Sequence, residues 1–208
     1  MELEDEDLRK CVEAANELAD NYEAFVHVKQ PRKSLDDLLD LYSSLMKGNV
    51  SFEEVIVNDP LSSTPRGGTL PYDGPDGKPA YKIGVLPDDD ENMRRIVTTN
   101  EIFQAILDTD SSRDMSLYDH IAAMYAGDLT EAVKKEEMAE VAMMQFLYPY
   151  KDRVNDLKLL SESKLTYEEI VNWYGIPQNY VELYLTKPYM DKLRSSHYFT
   201  VVAGTGTG

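Results

Sequence analysis

The sequence predicts an α+β fold in which helices predominate. Apolar residues recur every three or four positions over long stretches at both ends of the chain, which is the pattern of amphipathic helices. A region rich in Pro and Gly, about residues 58–80, precedes the strand-like run Tyr81–Leu86. We therefore expect helices packed on a small antiparallel sheet built from about residues 52–57, 68–73 and 80–86. With 208 residues, the chain is long enough to bury a core.

Two amphipathic helices are predicted in the N-terminal segment. The first covers about residues 3–28 and ends before Pro31. Its apolar positions are Leu3, Leu8, Cys11, Val12, Ala15, Leu18, Ala19, Tyr22 and Phe25. Ser34 caps the second helix, which ends at Gly48. Cys11 is the single cysteine of the chain, so we expect a buried thiol that has no disulfide partner within the chain.

The chain after the predicted sheet is expected to be mainly helical. An acidic run, Asp88–Glu91, leads into a helix at about residues 92–108. Further helices are predicted from near residue 116 to 127 and at about 130–147, where Pro149 stops the last of them. These helices supply most of the apolar positions available for a core in this part of the chain.

A pair of short helices is predicted between residues 165 and 185. Thr166-x-x-Glu169 is a capping box for a helix that ends at Gly175, and Pro177 opens the next helix. The acidic residues of this segment are Glu168, Glu169 and Glu182, and its nearest basic residues are Lys164 and Lys187 at the edges. This charge distribution argues against DNA reading and favours packing or contact with a protein.

The order of these elements divides the chain into three parts. An N-terminal helical segment covers residues 1–48, and a core that contains the predicted sheet covers residues 49–150. A C-terminal helical segment covers residues 151–208 and ends in a Gly- and Thr-rich tail that we expect to be flexible.

The net charge of the chain limits its partners. Lys and Arg number 21 and Asp and Glu number 38, so the formal net charge is 21 − 38 = −17. A surface this negative repels phosphate groups, so we expect no direct contact with nucleic acid. Two interpretations remain open. The charge either serves solubility alone or attracts a protein partner with a basic surface, such as a nucleic-acid-binding protein whose groove this chain occupies.

The sequence also indicates a cytoplasmic protein. No stretch approaches the roughly 20 apolar residues that a membrane-spanning helix needs. The N-terminal residues Met1–Asp7 are acidic, whereas a secretory signal peptide begins with basic residues. We therefore expect no contact with membranes.

Residues 100–104 have the skeleton of a zinc-peptidase helix without its histidines. Such a helix carries His-Glu-x-x-His, in which two histidines four residues apart bind zinc on one helix face and the Glu activates the metal-bound water. Here the run is Asn100-Glu101-Ile-Phe-Gln104. Asn100 and Gln104 stand at the ligand positions, and Glu101 stands at the position of the base.

The order of motifs around this helix resembles the ImmA/IrrE family of zinc-peptidase-like proteins. A strand, a Pro-Asp turn and the pair Arg94-Arg95 precede the helix, as in that family. The run Glu136–Pro149 is similar to the family's Glu-x-x-Ala helix, and residues 165–185 are similar to its helix–turn–helix-like segment. The resemblance covers about residues 50–187 and implies a mostly helical, zincin-like domain.

The resemblance implies a peptidase site that has lost its chemistry. Carried over position by position, Asn100 and Gln104 replace the two histidines, and Glu136 corresponds to the third ligand. Neutral amides are poor zinc ligands beside imidazole, and without a metal Glu101 has no activated water. We therefore expect no catalytic residue, no bound metal and no cofactor, with Asn100, Glu101, Gln104 and Glu136 as relict positions.

Non-catalytic regulation is the favoured function. Members of the ImmA/IrrE family often occur in phages and mobile elements, where they control repressors, so the resemblance implies a regulator or inhibitor acting by protein–protein contact in the host cytoplasm. Two alternatives remain. One is an active metal-dependent hydrolase with unusual ligands, and the other is a structural or assembly subunit of a larger complex.

Residues 100–107 also fit an unrelated amphipathic helix.

Aromatic and acidic residues are the candidates for binding a partner. Tyrosines are common in interface hot spots, and the C-terminal third of the chain is rich in them. The candidates are Tyr148, Tyr150, Tyr180, Tyr184 and Tyr189, together with the acidic run Asp88, Asp89 and Asp90. We expect Trp173 to lie in the core.

Overall fold

A computed structural model describes residues 3–27, 30–54, 67–74, 77–87, 90–107 and 129–194. Its helices are α1 (Asp5–Val26), α2 (Leu35–Leu45), α3 (Glu91–Leu107), α4 (Leu129–Leu147), α5 (Tyr150–Ser161), α6 (Tyr167–Tyr174) and α7 (Gln178–Tyr184). Its strands are β1 (Val50–Glu54), β2 (Gly67–Asp73) and β3 (Pro79–Val85). Residues 187–194 are also helical.

The prediction of an α+β fold with mostly helices and a small sheet is confirmed. The helix predicted at residues 116–127 and the C-terminal tail lie outside the described residues.

The chain forms two compact units. One comprises residues 35–140, and the other comprises residues 2–34 together with residues 141–208. These units do not follow the predicted boundaries at residues 48 and 150, because α1 belongs with the C-terminal helices and α2 belongs with the sheet. An apolar helix face shows that something covers it, but it does not show which element does so.

No helix in the described ranges has both the length and the apolar character needed to cross a bilayer.

The sheet of the first unit is mixed, with the strand order β1-β3-β2. Strands β2 and β3 form the predicted antiparallel hairpin, whereas β1 runs parallel to β3 with Val50 beside Tyr81. The prediction of a purely antiparallel sheet was therefore wrong for β1, which also begins two residues earlier than expected. Alternation of apolar and polar residues has the same period in both kinds of pairing, so the pattern does not reveal the direction of a strand.

A glycine-containing turn closes the hairpin. The backbone N–H of Gly74 donates to the carbonyl of Lys78 at 2.9 Å, and the N–H of Gly77 donates to the carbonyl of Gly74 at 2.9 Å. Gly77 has a φ of +70°, in the left-handed region that residues with a Cβ rarely adopt. The turn thus lies in the Pro- and Gly-rich region that precedes the predicted strand Tyr81–Leu86.

Helix α3 lies against the inner face of this sheet. It contacts both β2 and β3, and Ile83 of β3 is fully buried together with Ile102 and Phe103 of the helix. Helix α2 contacts β1, where the rings of Tyr42 and Phe52 meet edge to face with their centroids 6.5 Å apart. The sheet therefore fixes which face of α3 is buried, and so it fixes where the polar residues of that helix lie.

The second unit contains the predicted N-terminal helix and the C-terminal helices. Most of the predicted apolar face of α1 is buried and Cys11 is fully buried, whereas Phe25 near the end of the helix is 43% exposed. Tyr22 of this helix meets Phe146 edge to face, with the ring centroids 6.1 Å apart. The predicted capping box of α6 is present, since the side chain of Thr166 accepts a hydrogen bond from the backbone N–H of Glu169. Gly175 ends α6 in the left-handed conformation.

A buried arginine organises the core of the second unit. Arg153 is fully buried, and the rings of Tyr148, Tyr150 and Tyr184 surround its guanidinium at about 6 Å. Its Nη2 donates to Oε1 of Gln145 at 3.2 Å, and the same oxygen accepts from the backbone N–H of Tyr150 at 3.0 Å. Burial lowers the pKa of Arg153 to about 10, so it remains charged at neutral pH.

We predict that Gln145→Leu destabilises the protein by about 3 kcal/mol, because it removes the acceptor of a buried charge and of a backbone N–H at once. The free energy of unfolding in urea measures this effect. Gln178→Leu on the exposed side of α7 is the matched control, and we expect it to change the stability by less than about 0.5 kcal/mol. Equal losses for the two variants would show that Gln145 does not support the arginine.

Candidate functional site

Two of the predicted relict positions, Asn100 and Gln104, donate hydrogen bonds to the carboxylate of a third, Glu136. Asn100 and Gln104 lie one turn apart on α3, so their side chains share a helix face. Nδ2 of Asn100 donates to Oε1 of Glu136 on α4 at 3.0 Å, and Nε2 of Gln104 donates to Oε2 of the same carboxylate at 2.6 Å. We call these three residues the amide–carboxylate cluster. The positions that the family resemblance assigns to metal ligands are therefore neighbours in space.

Glu101 lies beside the cluster but faces the sheet. Its side chain is only 4% exposed. The hydroxyl of Thr69 on β2 donates to Oε2 of Glu101 at 2.8 Å and lies 3.0 Å from the backbone carbonyl of Glu101. Burial raises the pKa of Glu101 to about 7, and the negative charge of Glu136 adds to this, whereas the hydrogen bond from Thr69 acts in the opposite direction. Glu101 is therefore partly protonated at neutral pH.

Glycine at position 67 allows strand β2 to approach Glu101. A Cβ added to Gly67 would lie 2.8 Å from Oε1 of Glu101 and 2.8 Å from Cγ1 of Val97. Contacts this short do not occur between real atoms, so any larger residue would displace the helix, the strand or the carboxyl group. No motif in the sequence marks Gly67 or Thr69 as members of the site. Their role depends on the register of β2 against α3, and nothing in the local sequence shows that register.

Glu136 has an unusual environment for a surface residue. Much of its side chain is exposed, whereas its carboxyl group points at α3. Desolvation of that carboxyl group raises its pKa, the nearby charge of Glu140 raises it further, and the hydrogen bond from Asn100 lowers it. The site therefore contains two carboxyl groups whose pKa values are both raised, one held by amides and the other by a hydroxyl.

The donor set of this site differs from that of a zinc site. Zinc sites in proteins use imidazole nitrogen, thiolate sulfur and carboxylate oxygen, and here both carboxylate oxygens of Glu136 accept hydrogen bonds from neutral amides. Within the described part of the chain, no group of three or more His, Cys, Asp or Glu side chains is placed to hold a metal ion. What the residues can do chemically is hold a proton on a buried carboxyl group, since the pKa of Glu101 is raised to about 7.

The structure corrects part of the predicted partner surface. Tyr148 and Tyr184 are 0% and 1% exposed, so they belong to the core around Arg153 and cannot contact a partner. The hydroxyl of Tyr148 donates to Oδ2 of Asp156 at 2.8 Å, which satisfies its polar end. Tyr150, Tyr180 and Tyr189 are partly exposed.

Asp90, in the acidic run before α3, has a local structural role. Oδ1 of Asp90 accepts a hydrogen bond from the backbone N–H of Asn92 at 2.9 Å and so caps the helix. Asp88 and Asp89 lie outside the described residues.

Trp173 lies on the surface, contrary to the prediction that it belongs to the core. Its side chain is 54% exposed. Helix α6 buries Ile170 and Tyr174, which are one turn apart and already cover the inner face of this short helix. Trp173 is one position removed from that face and therefore points outward.

No protein-family model, curated protein or solved structure matches the chain. The resemblance to the ImmA/IrrE family therefore rests on the motif order of the sequence alone.

We predict that Gly67→Ala destabilises the first unit by about 1–3 kcal/mol, because the added methyl group collides with Glu101 and Val97. Gly68→Ala is the matched control. It lies next in the same strand, and a Cβ there meets no atom within 4 Å. We expect this control to be neutral or slightly stabilising. Thermal unfolding of both variants measures the difference. Equal melting temperatures would show that strand β2 does not lie in close contact with Glu101.

We predict that Glu101 makes the protein less stable as the pH rises. Its pKa is raised from 4.5 to about 7 in the folded chain, so the folded state binds the proton more tightly than the unfolded state does. The contribution is fully present below pH 4.5 and is lost as the pH rises toward 7, by roughly 3 kcal/mol in total. Urea unfolding of the wild type and of Glu101→Gln between pH 4 and 8 measures this slope. The exposed Glu13→Gln should retain the wild-type slope, and an unchanged slope in Glu101→Gln would contradict the prediction.

Proposed function

We propose that this protein is a non-catalytic regulator or inhibitor that acts by contact with another protein. The observation that supports this proposal most directly is the amide–carboxylate cluster. Asn100 and Gln104 occupy the positions where the resemblance to ImmA/IrrE proteins places zinc ligands, and both donate hydrogen bonds to Glu136, which corresponds to the third ligand. Hydrogen bonds among three side chains thus take the place of bonds to a metal.

Physical chemistry explains why this replacement ends hydrolysis by the family mechanism. A zinc ion at this place would have to break both hydrogen bonds to Glu136 and would receive neutral amide oxygens in exchange for imidazoles. Amide oxygens suit harder cations and bind zinc weakly. Without a metal-bound water, Glu101 has no activated nucleophile to deprotonate. The carboxyl group of Glu101 also accepts a hydrogen bond from the hydroxyl of Thr69 inside the fold.

The partner proposed for this regulator has a basic surface. The formal net charge of −17 favours association with positively charged proteins and opposes association with nucleic acid. By the family resemblance, the protein belongs to a phage or mobile element and acts in the host cytoplasm. A partner that itself binds nucleic acid fits both the charge and the resemblance, since an acidic surface competes with phosphate groups for the same groove.

One observation favours a second candidate, an active hydrolase with unusual ligands. Glu101 has a pKa of about 7 and lies near a second carboxyl group with a raised pKa. Perturbed carboxyl groups of this kind are typical of general acids and bases. In this alternative, the oxygen atoms of Asn100, Gln104 and Glu136 would bind a metal ion other than zinc.

Metal analysis separates the two candidates. We predict that the purified wild-type protein contains no stoichiometric metal ion and gains none on incubation with Zn²⁺, Mn²⁺ or Mg²⁺. The double variant Asn100→His/Gln104→His restores His-Glu-x-x-His opposite Glu136, and we expect it to bind about one zinc ion per chain because imidazole is a far better zinc ligand than an amide. Inductively coupled plasma mass spectrometry after gel filtration measures both contents.

The control variant keeps the restored histidines and removes the carboxylate. Asn100→His/Gln104→His/Glu136→Gln should lose most of the zinc gained by the double variant if the three positions form one site. About one tightly bound ion per wild-type chain would overturn the non-catalytic proposal and support the hydrolase. Failure of the double variant to bind zinc would remove the geometric support for the family resemblance.

A further inference from the structure

The helix pair α6–α7 exposes apolar side chains that the second unit does not bury. Trp173 of α6 is the most exposed of them, and Tyr167 of α6 and Leu183 of α7 are also exposed. The two helices contact each other. Their buried residues are Ile170, Tyr174, Val181 and Tyr184. One exposed apolar residue is ordinary on a protein surface, whereas three on two short neighbouring helices of eight and seven residues indicate a surface that a partner covers.

The charge of this helix pair has one sign. Between residues 165 and 185 the chain has no Lys, Arg or His, and its charged residues are Glu168, Glu169 and Glu182. The flanking lysines are paired with their own neighbours, since Nζ of Lys164 lies 2.7 Å from Oε2 of Glu162 and Nζ of Lys187 lies 3.2 Å from Oδ2 of Asp191. The surface around Trp173 is therefore apolar and negative.

We infer that the exposed side of α6–α7 binds a basic amphipathic helix of a partner protein. This inference rests on the proposed non-catalytic function and adds the place and the chemistry of the contact. A helix with apolar residues at every third or fourth position would cover Trp173 and Leu183. Its flanking Lys or Arg side chains would meet the carboxylates, and an Arg could also stack on the indole ring.

Other occupants fit the surface less well. A nucleic acid would bring phosphate groups to a segment that has three carboxylates and no basic residue. A second copy of this chain would bring the same acidic segment and a net charge of −17. A basic helix is the occupant whose charge and apolar spacing both match.

Trp173 provides a direct signal for the test, because it is the single tryptophan of the chain. The probe is a synthetic helical peptide with Leu at positions i, i+3, i+4 and i+7 and with Lys and Arg on its flanks. A second peptide has the same Leu positions and Glu in place of every Lys and Arg. We expect the basic peptide to shift the emission of Trp173 to shorter wavelengths, with an affinity that falls as salt is added. The acidic peptide should cause no shift.

Matched variants separate this surface from the general acidity of the protein. Glu168→Gln/Glu182→Gln removes one exposed carboxylate from each helix of the pair, and we expect it to weaken binding of the basic peptide by roughly fivefold or more. Glu13→Gln/Glu17→Gln removes two exposed carboxylates from α1 and should leave the affinity unchanged. Each variant has the same net charge, so a difference between them comes from position.

The contribution of the tryptophan is measured with a labelled peptide by fluorescence anisotropy. Trp173→Ala should weaken binding by roughly tenfold, as for a central aromatic residue of an interface, whereas Phe25→Ala, which removes an exposed aromatic residue of α1, should not. Equal losses in both charge variants, or an equal spectral shift with the acidic peptide, would overturn the inference. A shift caused by single-stranded DNA or by self-association would also overturn it. A metal-free protein that fails these tests would retain the proposed function and lose only this surface.

Discussion

The candidate site depends on the two hydrogen bonds that the carboxylate of Glu136 accepts. It joins helices α3 and α4 through two amide donors that lie one turn apart on α3. Each oxygen atom of a carboxylate can bind a metal ion or accept an N–H group. The residues at positions 100 and 104 decide between these states, since an imidazole nitrogen offers a lone pair to a metal and an amide N–H offers a proton to the carboxylate. In this protein both positions carry amides, and the result is a hydrogen-bonded cluster.

Burial of Glu101 depends in turn on the register of the β2–β3 hairpin. Pairing of Thr69 with Ile83 places the hydroxyl of Thr69 on the face of the sheet that meets α3. The same alternation places Gly67 on that face, where the absence of a Cβ leaves room for the carboxyl group of Glu101. A slip of the strand by one residue would bring Gly68 and Leu70 to this face instead and would remove the hydroxyl donor. The pKa of Glu101 is therefore a consequence of sheet register.

The helices, and the position of Asn100 and Gln104 on one helix face, could be predicted from the sequence because both depend on short-range spacing. The four-residue interval between Asn100 and Gln104 places them on one helix face, and the motif order identified Glu136 on a helix far along the chain. The direction of β1 and the roles of Gly67 and Thr69 depend on pairing between distant segments, which no local pattern records. Tyrosine posed a different problem. Tyr148 is buried because Asp156 accepts a hydrogen bond from its hydroxyl group and Arg153 lies over its ring. Neither contact can be predicted from composition.

A buried carboxyl group with a pKa near 7 is a costly way to fill a protein interior. At neutral pH the fold must either retain a proton on Glu101 or bury a charge, and both reduce stability relative to an apolar side chain of similar size. Packing alone therefore does not account for Glu101, whose hydroxyl donor and glycine neighbour are both specific to a carboxyl group. Under the proposed function, Glu101 is the remainder of a catalytic arrangement that has lost its metal ligands. The exposed Trp173 is the complementary case, because it lies on an acidic helix pair and the stability of the fold does not explain its exposure.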